Sequence, residues 1–426
     1  MSCLEGGCGC ALRGGNRVQM IFVRPAYRQL GVLTVLAILL DGLDGQALSF
    51  ALPAIAAEWG AEKSAFGLVF MAGLVGMAAG TIALGYVGDR FGRHIALGIS
   101  VVLFGLFTGL CAWAGSVNEI LLLRFIAGLG MGGALPNAAA LMSETIAPRW
   151  RAVAVTATIL CIPLGGMLGG ILASWVLPTF GWRPLFIGCG VASILLGALL
   201  FLQKYEAAPA PETPDVSPLP SPGFAKTLAL VLGKDARRDT LAMWISYFWS
   251  LMAVYLSLNW LPSLLVGAGF DLGDASIGAA LFNCGGIVGA LLGAVLIRRF
   301  GSRTVLVTMA LGGAVTSVLL ASFPPHPGAF LISVSLIALL GVSSAGIQSI
   351  LFAVAAQLYT VETRSTAIGV ALGFGRTGAM ISALAGGVLI GWQAGGFFVT
   401  IALLMALLAV SLMILRRHIE RHRDPA

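Results

Sequence analysis

The chain has 426 residues, of which 58% are hydrophobic and only 10% charged, against roughly 25% charged in an ordinary soluble domain. That balance excludes a soluble enzyme and describes a polytopic membrane protein. The formal net charge of +7 does not point to nucleic acid: the basic residues fall in short loops between apolar runs, and no aromatic and basic stretch offers a platform for bases.

Residues 1–27 are rich in glycine and carry Cys3, Cys8 and Cys10 with no histidine nearby, so they read as a disordered tail rather than a metal site. They lack a signal-peptide core followed by a small-residue cleavage site, and the first apolar run is expected to be a retained span. The remaining cysteines, Cys111, Cys161, Cys189 and Cys284, lie in apolar runs as small packing residues, which implies no disulfide framework.

Twelve apolar runs follow, at about 30–57, 66–87, 95–114, 119–142, 153–176, 184–203, 240–266, 276–297, 303–322, 328–357, 366–391 and 394–415. Each is long enough to cross a bilayer as a helix, giving an all-α membrane protein of twelve transmembrane helices. With the amino terminus inside, 21 of the 25 lysines and arginines fall in cytoplasmic segments and only Lys63 and Arg183 outside. Two more, Arg124 and Arg376, lie within spans. The expectation is a multi-pass protein of the cytoplasmic (inner) membrane with both termini cytoplasmic.

The first run contains Leu39-Leu40-Asp41-Gly42-Leu43-Asp44-Gly45-Gln46, two carboxylates near mid-membrane. Three residues apart, Asp41 and Asp44 share a helix face. Each ionised carboxylate at that depth costs on the order of 3 kcal/mol, so something must compensate for it. Helix-packing hydrogen bonds would do so; a proton or substrate site lining a polar cavity is the functional alternative.

Residues 204–238 change character, with six prolines followed by a short basic amphipathic piece from Phe224 to Arg238. They divide the spans into 28–203 and 239–415, with a tail at 416–426. These halves repeat. Gly85-Tyr-Val-Gly-Asp89-Arg90-Phe-Gly92-Arg93 after the second span is echoed by Ile297-Arg298-Arg299-Phe300-Gly301-Ser302-Arg303 after the eighth. Pro148-Arg149-Trp150-Arg151 is echoed by Val361-Glu362-Thr363-Arg364. The offsets, 209 and 213 residues, argue for two pseudo-symmetric six-helix bundles.

The loop Gly85–Arg93 resembles the signature of the major facilitator superfamily, and the repeat architecture extends that resemblance over the whole chain. Asp41-Gly-Leu-Asp44, the stretch from Arg124 through Gly128, Gly130, Gly132 and Gly133 to Pro136-Asn137, and Gly373-Phe-Gly375-Arg376-Thr-Gly378 resemble the aromatic acid:proton symporter family. The Asn259-Trp260-Leu261-Pro262 and Gly346-Ile-Gln348-Ser stretches look most like its hydroxyphenylpropionate carriers. The resemblance implies the major facilitator fold and inward transport of hydroxybenzoates or hydroxyphenylpropionates with protons. The chain departs from the pattern at Arg298, which stands where the first loop has Asp89, and at Thr360, where the family often has proline.

Arg376, ten residues into its run, presents a fork that fits a carboxylate in two parallel bonds; a permanent interhelical ion pair is the structural alternative. Arg124 could pair with the span-one aspartates and release them when substrate or protons arrive, or snorkel to the outer interface. Trp244, Phe248, Tyr255 and Asn259 fall near one stripe of span seven. They could cover an aromatic ring and bond its hydroxyl, although Trp244 and Trp260 would also suit interface belts. Gln46, Gln348 and Asn283 are further candidate hydroxyl partners. Asp89, Arg90, Arg93, Glu144, Arg149 and Arg151 form a candidate cytoplasmic gate.

No histidine falls inside a run, so proton handling within the membrane is left to Asp41 and Asp44. There is no nucleophile–base pair, phosphate-cradling loop, cofactor motif or metal-ligand spacing. The expected partners are a small aromatic carboxylate, protons and membrane lipid, and the expected state is a monomer. Two alternatives remain open: a proton-coupled drug or metabolite antiporter of the same fold, and a non-transporting aromatic-acid sensor.

Overall fold

The computed structural model describes residues 27–203, 224–233, 236–360, 363–391 and 394–419. The stretch with Cys3, Cys8 and Cys10, the prolines of the linker and the end of the tail lie outside them. Twelve helices are long and apolar enough to cross a membrane. Hydrocarbon offers no partner for a free N–H or C=O, so each apolar run closes its hydrogen bonds within itself.

In chain order the helices are α1 (Tyr27–Trp59), α2 (Phe66–Phe91), α3 (Arg93–Leu110), α4 (Val117–Thr145), α5 (Arg151–Phe180) and α6 (Arg183–Phe201). A short helix, α7 (Phe224–Val231), precedes α8 (Arg237–Gly267), α9 (Leu272–Phe300), α10 (Ser302–Ser322), α11 (Phe330–Leu358), α12 (Arg364–Leu389) and α13 (Ala394–Ile414). The helices overrun the apolar runs at several ends. α3 begins at Arg93, which puts His94 in its first turn rather than in a loop.

The internal repeat is visible in the backbone. Gly92 between α2 and α3 has φ +102°, and Gly301 between α9 and α10 has φ +78°, conformations that disfavour a side chain. The echoed loops are therefore the same sharp turn. Packing repeats as well: α2 lies on α4, α1 on α5 and α3 on α6, as α9 lies on α11, α8 on α12 and α10 on α13. Glycines bring the first pair of each set together. A Cβ on Gly132 would stand 2.1 Å from the Met77 carbonyl oxygen, and one on Gly289 would stand 2.1 Å from that of Val342. Such close backbone approach drives helix association where lipid is as apolar as the side chains.

The two sets of helices meet through α1, α2 and α5 on one side and α8, α9 and α12 on the other. The close contacts gather at the end remote from the basic loops. A Cβ on Gly67 would lie 2.9 Å from the Ala383 carbonyl oxygen, and one on Gly387 the same distance from that of Ser64. The Trp260 ring of α8 stands edge-on to Phe70 of α2, with centroids 5.4 Å apart. α4 and α11 make no extensive contact with each other. α1, enclosed by α4, α5, α6, α8 and α9, is buried from Ala47 to Pro53 yet exposes Val32 by 52% and Leu36 by 42%. The two sets are thus held closest together at the far face.

Gly132→Val, which forces a branched side chain into the α2–α4 contact, should lower stability by about 1–3 kcal/mol or more. Gly85→Ala, with open space around the new methyl, should be neutral. Thermal melting of the purified variants in detergent checks the contrast.

Candidate functional site

Asp41 and Asp44 point about 60° apart around α1, because three residues of an α-helix turn 300°. Packing turns that angle into two environments. Gly42, between them, rests on α5, where a Cβ would stand 2.1 Å from the Ile162 carbonyl oxygen. Asp44 faces α3 and α4. Thr108 Oγ1 donates to its Oδ2 at 2.7 Å, and Arg124 Nη1 reaches its backbone oxygen at 3.2 Å and Oδ1 at 3.5 Å. The side chains of Asp44 and Arg124 are 1% and 6% exposed, and the guanidinium lies 5.2 Å from the centroid of the Phe186 ring. Arg124 is thus a buried partner of Asp44 and does not snorkel. Its Nε and Nη2 have no partner among the described residues, so the pair is loosely satisfied.

Asp41 is different. It is 7% exposed, and among the described residues no hydrogen bond or ion pair holds its carboxylate. It shares its surroundings with the second set of helices: Tyr255 of α8 lies within electrostatic reach of both Asp41 and Arg376. Arg376, twelve residues into α12, crosses to the first set, where its Nη1 donates to Thr81 Oγ1 of α2 at 3.1 Å. Thr81 itself donates toward the carbonyl oxygens of Met77 and Gly132. Tyr255 of α8 is thus near both Asp41 of α1 and the mid-depth Arg376–Thr81 bond that joins α12 to α2; among the described residues no hydrogen bond or ion pair links Asp41 to Arg376. Thr81 escaped the sequence analysis because a lone threonine in an apolar run usually bonds its own helix.

Gln46 and Asn283 meet each other. Gln46 Nε2 donates to Asn283 Oδ1 at 3.1 Å, and Asn283 Nδ2 donates back to Gln46 Oε1 at 2.8 Å. This reciprocal amide pair ties α1 to α9, and Gly166 of α5 makes room for it: a Cβ there would stand 2.0 Å from Gln46 Nε2. Asn259 is buried with its Nδ2 unpartnered. Phe248 stacks on Phe374 and Trp249, and Trp244 tilts against the same Phe374. Phe374 precedes Arg376 by two residues and so faces away from it, which separates the Phe248 ring from that guanidinium. Trp260 is fully buried among the far-face contacts, not set in an interface belt. Gln348 is half-buried, with no hydrogen bond among the described residues.

Asp89, Arg90, Arg93 and Arg151 of the basic face bond within the first six helices. Arg93 Nη2 pairs with Asp89 Oδ1 across the α2–α3 turn, and Arg93 Nη1 reaches Asn137 Oδ1 of α4 at 3.4 Å. Arg90 donates to Tyr86 Oη at 3.2 Å, and Arg151 Nε to the Ile146 carbonyl oxygen at 3.3 Å. Glu144 and Arg149 also have partners. In the second half Arg303 reaches the Met413 carbonyl oxygen, and no acid stands where Asp89 does.

Arg124→Leu strands Asp44 as a lone buried charge and should cost about 3–5 kcal/mol. Adding Asp44→Asn to that variant should restore much of the loss. Melting temperatures of the two single variants and the double variant check the coupling; additive losses would show that the pair is not an ion pair.

Comparison with known proteins bears on the fold and the family. A sequence model of the Major Facilitator Superfamily matches residues 34–291 and 243–426. A 4-hydroxybenzoate transporter of Acinetobacter baylyi is 28% identical, with 93% of this chain and 92% of that protein aligned. A 3-(3-hydroxy-phenyl)propionate transporter of Escherichia coli is 32% identical over 90% of this chain and 93% of its own length. A gallate transporter of Pseudomonas putida is 32% identical over 84% of each. Among solved structures, the inward-open conformation of the xylose transporter of Escherichia coli superposes with a TM-score of 0.70, at 18% identity, over 92% of this chain and 96% of that one.

Proposed function

The chain belongs to the major facilitator superfamily, and from that premise we propose that it imports an aromatic carboxylic acid of the hydroxybenzoate or hydroxyphenylpropionate class together with protons. It is a carrier rather than an enzyme. In this reading the basic face is the cytoplasmic one, and the close contacts at the far face belong to a state that faces inward. The observation that supports the reading is that Tyr255 of α8 is near both Asp41 of α1 and Arg376 of α12, whose guanidinium bonds Thr81 of α2 at mid-depth.

Charge arithmetic gives the coupling. Arg376 and ionised Asp41 sum to zero when the site is empty. A bound carboxylate adds one negative charge, and a proton on Asp41 removes it. The site is therefore neutral when it is empty and deprotonated, or loaded and protonated. Every other combination takes a net charge through a low-dielectric core during reorientation, at a cost of several kcal/mol. Proton and substrate travel together because only the paired states move cheaply. The Asp44–Arg124 pair stays internally neutral and holds α1 in place beside this site.

Arg376 supplies the specificity for a carboxylate. Its guanidinium leaves Thr81 and accepts the acid through two parallel N–H···O bonds. Tyr255 then offers its hydroxyl, and an amphipathic ring, to the substrate. Outward opening breaks the Gln46–Asn283 pair and parts Trp260 from Phe70, while the residues around Asp89 and Arg93 come together with the second half.

The test is uptake of labelled 4-hydroxybenzoate and 3-(3-hydroxyphenyl)propionate into vesicles with and without an imposed inward proton gradient. Gradient-driven accumulation that an uncoupler abolishes is expected. Asp41→Asn should equilibrate substrate but not accumulate it; full accumulation by that variant would overturn the coupling role. Arg376→Lys replaces a fork by a point charge and should raise the half-saturating concentration about tenfold. Unchanged uptake kinetics would remove Arg376 from the site. Gradient-driven extrusion instead of uptake would mark an exporter.

A further inference from the structure

A groove of about 750 Å³ runs along the outer surface of α8 and α13. Its walls are apolar: Leu241, Ile245 and Trp249 from α8, and Val410 and Ile414 from α13 among others. Leu241, Ile245, Val410 and Ile414 are each 39–49% exposed, so this surface faces the bilayer and not another helix. The floor is fixed by Ser246 and Ser411, whose hydroxyls hydrogen-bond at 2.8 Å.

Two features set this groove apart from ordinary lipid-facing surface. The first is its length. From Arg237 to Trp249 is twelve residues of helix, about 18 Å, close to the depth of one bilayer leaflet. The second is its charge. Arg237 and Arg238 line the groove at the basic face, both exposed and without an ion-pair partner among the described residues. Asp239, next in sequence, does not neutralise them: it is buried, its Oδ1 accepts the backbone N–H of Arg416 at 2.8 Å, and its Oδ2 lies 3.9 Å from Arg417 Nε. Arg416 and Arg417 are themselves exposed, and of the four arginines at this end only Arg417 brings its guanidinium to the buried carboxylate.

We propose that this groove is a binding site for one anionic phospholipid, its headgroup phosphate held by Arg237 and Arg238 and an acyl chain laid along Leu241, Ile245 and Trp249. A basic end joined to an apolar trough one leaflet deep complements an amphiphile with a negative head. A free anion would use only the arginines, and a zwitterionic lipid would gain little from them. Each arginine near a membrane surface favours an anionic headgroup severalfold.

The test uses the full-length protein, stripped of lipid in detergent and titrated with phosphatidylglycerol, phosphatidylcholine or inorganic phosphate, with bound species counted by native mass spectrometry. The expected result is one phosphatidylglycerol retained about tenfold or more in preference to phosphatidylcholine. Arg237→Gln with Arg238→Gln should bring that ratio near one. Arg298→Gln with Arg299→Gln, at the basic end of α9, should leave it unchanged. Leu241→Trp, which fills the trough without touching charge, should lower retention of both lipids. Equal retention of the two lipids by the unmodified protein would overturn the proposal. So would an equal loss of preference in the α9 variant, or displacement of the lipid by inorganic phosphate.

Discussion

Charge buried in an apolar core has to be met by opposite charge, by hydrogen bonds or by a proton, and the interior of this protein is arranged around that requirement. Asp44 and Arg124 meet it with each other: both are almost fully enclosed, and Thr108 adds a hydrogen bond to the carboxylate. Asp41 and Arg376 meet it less completely. Arg376 rests on a neutral hydroxyl, and Asp41 has no hydrogen-bonding partner among the described residues. A paired carboxylate and an unpaired one stand a single helical turn apart on α1. In the proposed cycle Asp44 and Arg124 keep the helix in register while Asp41 and Arg376 exchange partners with cargo.

Close helix contact makes such placement possible. Glycines at Gly42, Gly132, Gly166 and Gly289 remove the side chain where a carbonyl or an amide of the neighbour must come near. The result is a rigid set of helices within each half. The surface between halves is thinner: glycine contacts, one amide pair and the ring of Trp260 on Phe70. Rigid halves joined by a narrow seam are what a rocking motion about a central site requires.

Much of this was legible in the chain. Apolar runs gave the twelve spans because hydrocarbon leaves the backbone no alternative to the helix, and the Gly92 and Gly301 loops announced the repeat. Helix ends were less legible, since α1 and α5 continue past their apolar runs into polar residues that the lipid no longer selects against. Spacing put Asp41 and Asp44 on one face but could not say that neighbours differ across 60° of that face. The two fates open to Arg124 were separated only by α1 and α6, which enclose it. Thr81 and the Gln46–Asn283 pair depend on contacts between residues more than 200 positions apart. No local pattern encodes these.

The amide pair has a bearing on how the protein responds to its surroundings. Gln46 and Asn283 carry no ionisable group; they exchange one hydrogen bond in each direction, and Asn283 Nδ2 also donates to the Ala279 carbonyl oxygen. This link between the halves, close to the depth of the aspartates, is thus indifferent to acidity and to ionic strength. Protons find nothing in this pair to titrate, and sensitivity to them is concentrated at the carboxylate one to two turns away on the same helix.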